Sequence, residues 1–566
     1  MAAWSLLRAL IITACLSLPA ASFPGQDAPG LVSRDGEAFS FDLATGFQTQ
    51  EQTSSKPAPE VVFTNEGGTP YSQPYDAQRI GSDGPLLLQD VHLIEHLAHF
   101  ARERIPERVV HAKGAGGHGY FEVTNAEFAK KYTMMDVFSE NGLKTPITVR
   151  FSTVGGESGS ADSARDPRGF SVKFRSRKGI WDLVMNNTPV FFIRDPSKFP
   201  HFIHTQKRNP QTHLKDKDLF WDYLSSNPES LYQVMRLFSD LGTPCGFTHM
   251  NGWGSHTYRW IKEDGKWVYV KLFAETMQGV RNFTNAEAVA MQGNNPDFAT
   301  EDLFSSIENG SYPGWTLYAQ VLTPSQAERF KYNVLDLTKD WGFDDVPKTE
   351  IGKFYITKNP DNYFAEIEQA AFSPARMIDG WALSADPVLQ ARSFSYPDAQ
   401  RYRLGANYMQ IPVNTPTCPV ANFERDGQMN VQGNQGSRPN YLSTLSPIQL
   451  PKLPYVEDTH QQWTGGAVRS LSRVTEIDFD WPRRFWNSLS EQDQQNLISN
   501  IVGHLGLVKS VEVRKRQVAL FAHANATLGQ AIADGVGVPV VALEFPDSGP
   551  TWLNTTVPSS TSTLNY

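Results

Sequence analysis

Residues 147–152 read Ile147-Thr148-Val149-Arg150-Phe151-Ser152, and this strict alternation decides the fold class. Successive side chains of an extended strand point to opposite faces, so Ile147, Val149 and Phe151 share one face while Arg150 and Ser152 share the other. Residues 181–184, 189–193 and 267–273 are further strand candidates, rich in aromatic and branched side chains. Several such strands, long insertions and little strand–helix alternation suit an antiparallel β-barrel better than a parallel sheet. The expected class is α+β.

Outward from that barrel, residues 90–104 carry helical spacing, with Leu93, Leu97 and Phe100 on one side. Residues 23–90 mix Gly, Pro, Ser and polar residues and read as an N-terminal arm. The barrel is expected over 91–345, and 346–475, rich in Pro, Asn and Gly around one helix, reads as a wrapping segment. A helical domain follows over 476–538. There Ser490-x-x-Asp493 resembles a capping signal ahead of Leu497, Ile498, Ile501, Val502 and Leu505, and a second helix is predicted over 511–533, stopping at Gly535. The Ser/Thr/Pro-rich residues 539–566 read as a disordered tail.

The chain has 566 residues, 40% hydrophobic and 20% charged, which is a globular composition. A net charge of -9 argues against nucleic-acid binding, so the basic stretch 173–178 reads as a solvated turn. Arg8, the apolar run 9–18 and the small residues 20–22 predict a secretory signal peptide over 1–22. That run falls short of the roughly 20 apolar residues a spanning helix needs, so no membrane partner is expected. The last residues, 563–566, are not a Ser-Lys-Leu peroxisomal address. Sequons at Asn282, Asn309, Asn525 and Asn554 fit a glycoprotein, and the expected location is extracellular. Besides Cys15 there are Cys245 and Cys418, whose pairing the sequence leaves open.

Chemistry concentrates in residues 392–403, R-S-F-S-Y-P-D-A-Q-R-Y-R. Arg392 precedes Tyr396 by about one helical turn, so both can share a face. A fixed guanidinium lowers the cost of a phenolate, a hard anionic ligand suited to ferric iron. A packed helix with a stacked Arg is the simpler alternative, so a matching distal site is needed. His111, in R-V-V-H-A-K-G, can carry a proton between two oxygens if its imidazole is neutral. Asn186, in M-N-N-T-P, can hydrogen-bond a peroxide, or can simply form a turn. Arg108, Arg150 and Arg403 come from separate segments and suit bidentate contacts to carboxylates.

Taken together, R-V-V-H-A-K-G-x-G, R-F-S-T-V-x-G-E-x-G-S-x-D-x-x-R-D-P-R-G-F, N-N-T-P-V-F-F-I-R-D, K-R-N-P-Q-T-H, N-x-G-x-G-S-H-T and R-x-F-x-Y-x-D-A-Q-R-Y-R-L-G-x-N-Y-x-Q-I-P-V-N resemble the monofunctional haem catalases across residues 65–535. The likeness is to the small-subunit type. Tyrosine-ligated haem is a known property of that family. By resemblance, Tyr396 is the proximal ligand and Arg392 its charge partner, while His111 and Asn186 form the distal pair with Ser152 orienting the imidazole. Arg108, Arg150 and Arg403 bind the propionates of a haem expected to be haem b. Val110, Phe191 and Phe199 line the approach, Asp166 sits along the channel, and Phe372 and Met377 pack near the haem edge. The implied reaction is dismutation of hydrogen peroxide to water and dioxygen by a homotetramer, with His111 moving a proton from the near to the far oxygen. A peroxidase or hydroperoxide isomerase on the same fold is the second enzymatic reading, and an inactive haem-binding protein the non-enzymatic one.

Some positions depart from the family. Met185 replaces the usual Gly before the paired asparagines, and Asp379 and Trp381 flank Gly380 where Pro-Gly-Ile is usual. Pro397 follows the tyrosine, as is common in the family. Leu241, Phe273, Glu275 and Phe343 stand where NADPH-binding members carry basic and His residues, so NADPH is expected to be absent.

Overall fold

The computed structural model describes residues 31–32, 38–39, 61–452 and 472–543. Within Met1–Thr53, Leu31–Val32 pairs antiparallel with Ala38–Phe39. Residues 1–22 and 544–566, with the predicted leader and most of the predicted tail, lie outside the described residues.

In the unit Ser54–Tyr566, ten strands form one sheet. They are β1 (Gly114–Val123), β2 (Lys144–Thr153), β3 (Arg168–Ser176), β4 (Gly179–Asn186), β5 (Gly252–Trp253), β6 (Tyr258–Ile261), β7 (Trp267–Thr276), β8 (Gly314–Leu322), β9 (Thr349–Lys358) and β10 (Trp381–Leu383). Pairing runs β8-β9-β1-β2-β3-β4-β5-β7-β6-β10, and β8 also pairs with β7. That second pairing closes an eight-stranded antiparallel barrel and leaves β6 and β10 as a side extension.

The alternation in 147–152 has the expected result. Ile147, Val149 and Phe151 enter the barrel core with Phe170, Val172 and Phe174 of β3, while Arg150 and Ser152 face outward. The interior is filled by aromatic rings, Phe151 packing on Phe170, Phe247 and Trp315. Because side chains fill this small barrel, the chemistry has to sit on its outer wall.

Several expectations need correction. Residues 189–193 form no strand; Val190, Phe192 and Ile193 instead pack into a second core beneath the C-terminal helices. Strand β9 falls inside the expected wrapping segment, yet it pairs with both β8 and β1, so a barrel ending at residue 345 omits a wall strand. The basic stretch 173–178 is a solvated turn only at Arg177 and Lys178; residues 173–176 belong to β3, and Lys173 is fully buried against Asp182, 2.8 Å away. One predicted helix over 511–533 is two, Val511–Ala524 and Ala526–Val536, because the Asn525 side chain accepts from Leu528 N and caps the second. Gly537, with φ 69°, ends it in the left-handed conformation. The Ser490 cap forms as expected and begins helix Glu491–Leu505.

Candidate active site

A cavity of about 450 Å³ lies between the outer wall of the barrel and the helix Pro387–Leu404. Its first wall comes from β2, β3 and β4. Ser152 is in register with Gly169, and Gly169 with Asn186, so three adjacent strands place these residues side by side. His111 precedes β1 with φ 65°, a left-handed backbone that costs a non-glycine residue energy. Its N–H donates to Val154 O (3.1 Å), and its carbonyl accepts from Arg150 Nη1 (3.0 Å). The strained backbone is thereby fixed, and His111 Nδ1 lies 2.9 Å from Ser152 Oγ.

Gly169 makes room for this pair. A Cβ there would lie 2.5 Å from both His111 Nδ1 and Ser152 Oγ. Sequence reasoning did not single out this glycine, although it lies in the R-D-P-R-G-F motif. Burial, reinforced by the positive charges of Arg150, Arg392, Arg108 and Lys207, pushes the His111 imidazole down to about 3. The ring is therefore neutral at ordinary pH and can take up and release a proton.

The opposite wall is the helix Pro387–Leu404. Asp386 caps it by accepting from Val388 N and Leu389 N, and Pro387 supplies a favourable first residue. The helix continues through Pro397. One turn apart, Arg392 Nη2 donates to Tyr396 Oη at 2.6 Å, with the guanidinium carbon 4.7 Å from the ring centroid. Behind them His256 Nδ1 meets Asp386 Oδ2 at 2.7 Å, a buried pair that sequence reasoning also missed. The N-x-G-x-G-S-H-T motif contains that histidine, but nothing in sequence joins it to residue 386. Burial opposes the Arg392 charge, yet Tyr396, Tyr258 and Asp386 together hold its pKa above the usual value.

At the rim the three arginines converge. Arg108 Nη2 donates to the carbonyls of Glu368 (2.8 Å) and Ala370 (2.9 Å), and Arg403 donates to the same two carbonyls at 2.6 and 3.1 Å. Arg150 donates to His111 O and Ala112 O. Nε of Arg150 and Nε of Arg403 are buried with no partner among the described residues. Burial lowers the pKa of all three guanidiniums, to about 10 for Arg403, and the Glu368 carboxylate is a shared counter-charge for Arg108 and Arg403. Clustered buried cations with spare donors fit a ligand carrying carboxylates, as haem does.

Val110, Phe191, Phe199 and Phe372 line the cavity. Asp166 and Met377 lie outside this lining. Asp166 Oδ2 accepts from Val154 N (2.5 Å) and Gly155 N (2.7 Å), so its carboxylate braces the chain after β2 and does not line the cavity. Met377 is 41% exposed and borders a separate surface cavity with Ile180 and Arg376. Met185 crowds the site less than its position suggested. Strand alternation sends its side chain into the barrel core with Phe170, while Val184 and Asn186 face the cavity, which Met185 only borders.

The model of the catalase family matches residues 64–446, and that of a catalase-related immune-responsive domain matches residues 475–536. The chain belongs to the catalase family. It is 53% identical over 488 residues to the catalase of Schizosaccharomyces pombe, covering 85% of this chain and 94% of that one. It is 51% identical over 480 residues to the peroxisomal catalase of Candida tropicalis, covering 83% and 97%. Among solved structures, a fungal catalase superposes with a TM-score of 0.81 at 48% identity (84% and 96% covered). Catalase A of Saccharomyces cerevisiae also gives 0.81, at 46% identity (84% and 99% covered). The protein is a haem enzyme that dismutates hydrogen peroxide to water and dioxygen.

The expectation of export is corrected by the same comparisons. Relatives at 51% identity, from Candida tropicalis and Candida albicans, are peroxisomal catalases, and no relationship supports a secreted glycoprotein. Of the sequon asparagines, Asn525 has its side chain engaged as a helix cap.

Proposed function

We propose that this catalase holds a haem b between the two walls, with Tyr396 as iron ligand and Arg392 stabilising its phenolate. When bound, the haem iron supplies the two-electron redox centre. His111 accepts a proton from one peroxide oxygen and delivers it to the other, Ser152 fixes the ring, and Asn186 holds the far oxygen. Arg108, Arg150 and Arg403 receive the propionates, Phe199 and Phe372 pack on the ring, and Val110 and Phe191 narrow the approach. One observation carries this reading: the Arg392–Tyr396 pair and the His111–Ser152 pair open onto the same cavity from opposite walls. The test is an absorption spectrum with an oxygen-electrode trace. Tyr396→Phe is expected to lose haem or nearly all activity, and His111→Ala to keep haem and lose turnover. Normal oxygen evolution by His111→Ala would remove the distal assignment.

We propose further that no NADPH is bound. Phe273 stacks on Trp253 (5.0 Å) and Tyr318 (5.3 Å) and packs at a tilt on Phe343 (5.0 Å), and Lys348 both pairs with Glu275 and lies over Phe273, Tyr318 and Phe343. The rings are packed together and that cation is already engaged, which disfavours a nucleotide phosphate. Stoichiometric nicotinamide retained after desalting would overturn this.

A small-subunit homotetramer is the proposed assembly. It is supported by the 94% and 97% coverage of the relatives' own lengths and by an apolar helix face, Val91–Phe100, that exposes Leu97 and Phe100. A solution mass of four 63.2 kDa chains is the expected measurement. The proposed division of the chain keeps the arm, wrapping segment and helical domain, with the barrel extended to Lys358.

A further inference from the structure

The carbonyls that hold Arg108 and Arg403 belong to a short, unusual element. Phe364–Glu368 is a π-helical turn, closed by Gln369 N donating to Phe364 O at 3.0 Å. Such turns are rare and occur often at functional sites. One end presents the Glu368 and Ala370 carbonyls to the two arginines. The other end is tied to the barrel wall, and the tie runs through a histidine with no part in the active site.

His118, on β1, reaches Glu366 Oε2 with Nε2 at 2.6 Å and Thr148 Oγ1 with Nδ1 at 2.9 Å. Thr148 Oγ1 also accepts from Arg175 Nη1 at 2.8 Å, and Arg175 Nη2 donates to Val413 O at 2.6 Å. A neutral His118 satisfies every member with all donors pointing one way. Arg175 donates to Thr148, the Thr148 hydroxyl to Nδ1, and Nε2–H to the Glu366 carboxylate. The other carboxylate oxygen of Glu366 accepts from Asp361 N and Asn362 N at 3.0 Å each, which fixes the start of the turn. A second tie, Tyr363 Oη donating to Gly114 O at 2.6 Å, joins the same turn to the same strand.

We propose that His118 and Glu366 are positioning residues for haem retention: their bond sets the π-turn in register so that Arg108 and Arg403 meet the propionates. This rests on the assignment of those arginines as propionate anchors. Neither residue of the pair lines the cavity, so turnover per bound haem is left intact, and the effect falls on how fast haem escapes.

The experiment measures haem transfer from the purified holoenzyme to an excess of a haem-scavenging apoprotein, followed by absorbance, with oxygen evolution per haem in parallel. His118→Phe is expected to speed haem loss about tenfold, and His118→Gln, whose amide can still donate to Glu366, to recover most of that change. Arg403→Leu is the control for the underlying reading. In a double-mutant cycle, adding His118→Phe to Arg403→Leu should speed haem loss by less than it does alone, because only Arg108 is then left for the turn to misplace. If Arg403→Leu leaves haem loss unchanged, the propionate assignment fails. If Arg403→Leu speeds loss while His118→Phe does not, or the two effects are independent, the tie plays no such role. Failure of His118→Gln to recover retention would also overturn it.

Discussion

Gly169→Ala adds one methyl group at a position whose backbone torsions do not require glycine, since its φ is not positive. The consequence is therefore local. The new Cβ would stand 2.5 Å from His111 Nδ1, 2.5 Å from Ser152 Oγ and 2.8 Å from His111 Cε1. Restoring contact near 3.5 Å requires the imidazole to retreat by roughly 1 Å. His111 cannot retreat with its backbone, which is pinned by Val154 O and Arg150, so the ring must rotate and its 2.9 Å contact with Ser152 is lost. A displacement of about 1 Å in a catalytic group costs on the order of a hundredfold in rate. Overpacking costs about 1–3 kcal/mol of stability, which a large domain tolerates. The expected variant is folded and red with haem but evolves oxygen about a hundred times more slowly per haem. The assay is initial oxygen release from hydrogen peroxide, normalised to haem absorbance. A variant with full haem and undiminished turnover would show that the His111–Ser152 geometry does not limit the reaction.

His111, held at about pH 3 by burial and surrounding cations, should put no acid limb near 6.5 in the rate profile; a midpoint there would contradict its neutrality. The same depression makes unfolding take up a proton below pH 6.5, so stability should fall by up to ~1.4 kcal/mol per unit as pH drops from 6.5 toward 3, seen in denaturant melts against pH. Lys173→Met strands the buried Asp182 carboxylate, which also accepts from Ser373 N beside Phe372; a loss of about 3–5 kcal/mol is expected in the same melts, with Asp182→Leu added in the double variant restoring much of it. Asn525→Ala should shorten or fray the last helix at a cost of ~1 kcal/mol, and an unchanged melt would mean the cap contributes nothing.

How far the site could be read in the sequence follows from how each part is encoded. Residues 147–152 fixed both faces of a wall strand because period two is a local property. Arg392 and Tyr396 were legible as a pair because one helical turn is also local. His256 and Asp386 meet across 130 residues, and no spacing rule joins them. Gly169 works by what it lacks, so only coordinates reveal which ring a Cβ would strike. Residues 189–193 misled because a short apolar run suits a buried coil as well as a strand. Met377 followed the resemblance, and the backbone turned it to the surface.

The pairing of β1 with β9 also sets a schedule for synthesis. Residues 114–123 lie against residues 349–358, so the ribosome must make more than two hundred further residues before β1 finds that neighbour. At roughly 5–20 residues per second this leaves an unpaired strand edge for tens of seconds, a period in which nascent chains can aggregate. The tyrosine-bearing helix emerges later still. Cofactor capture is therefore confined to the end of translation or after it, and cells short of haem should accumulate a finished barrel with its outer wall bare.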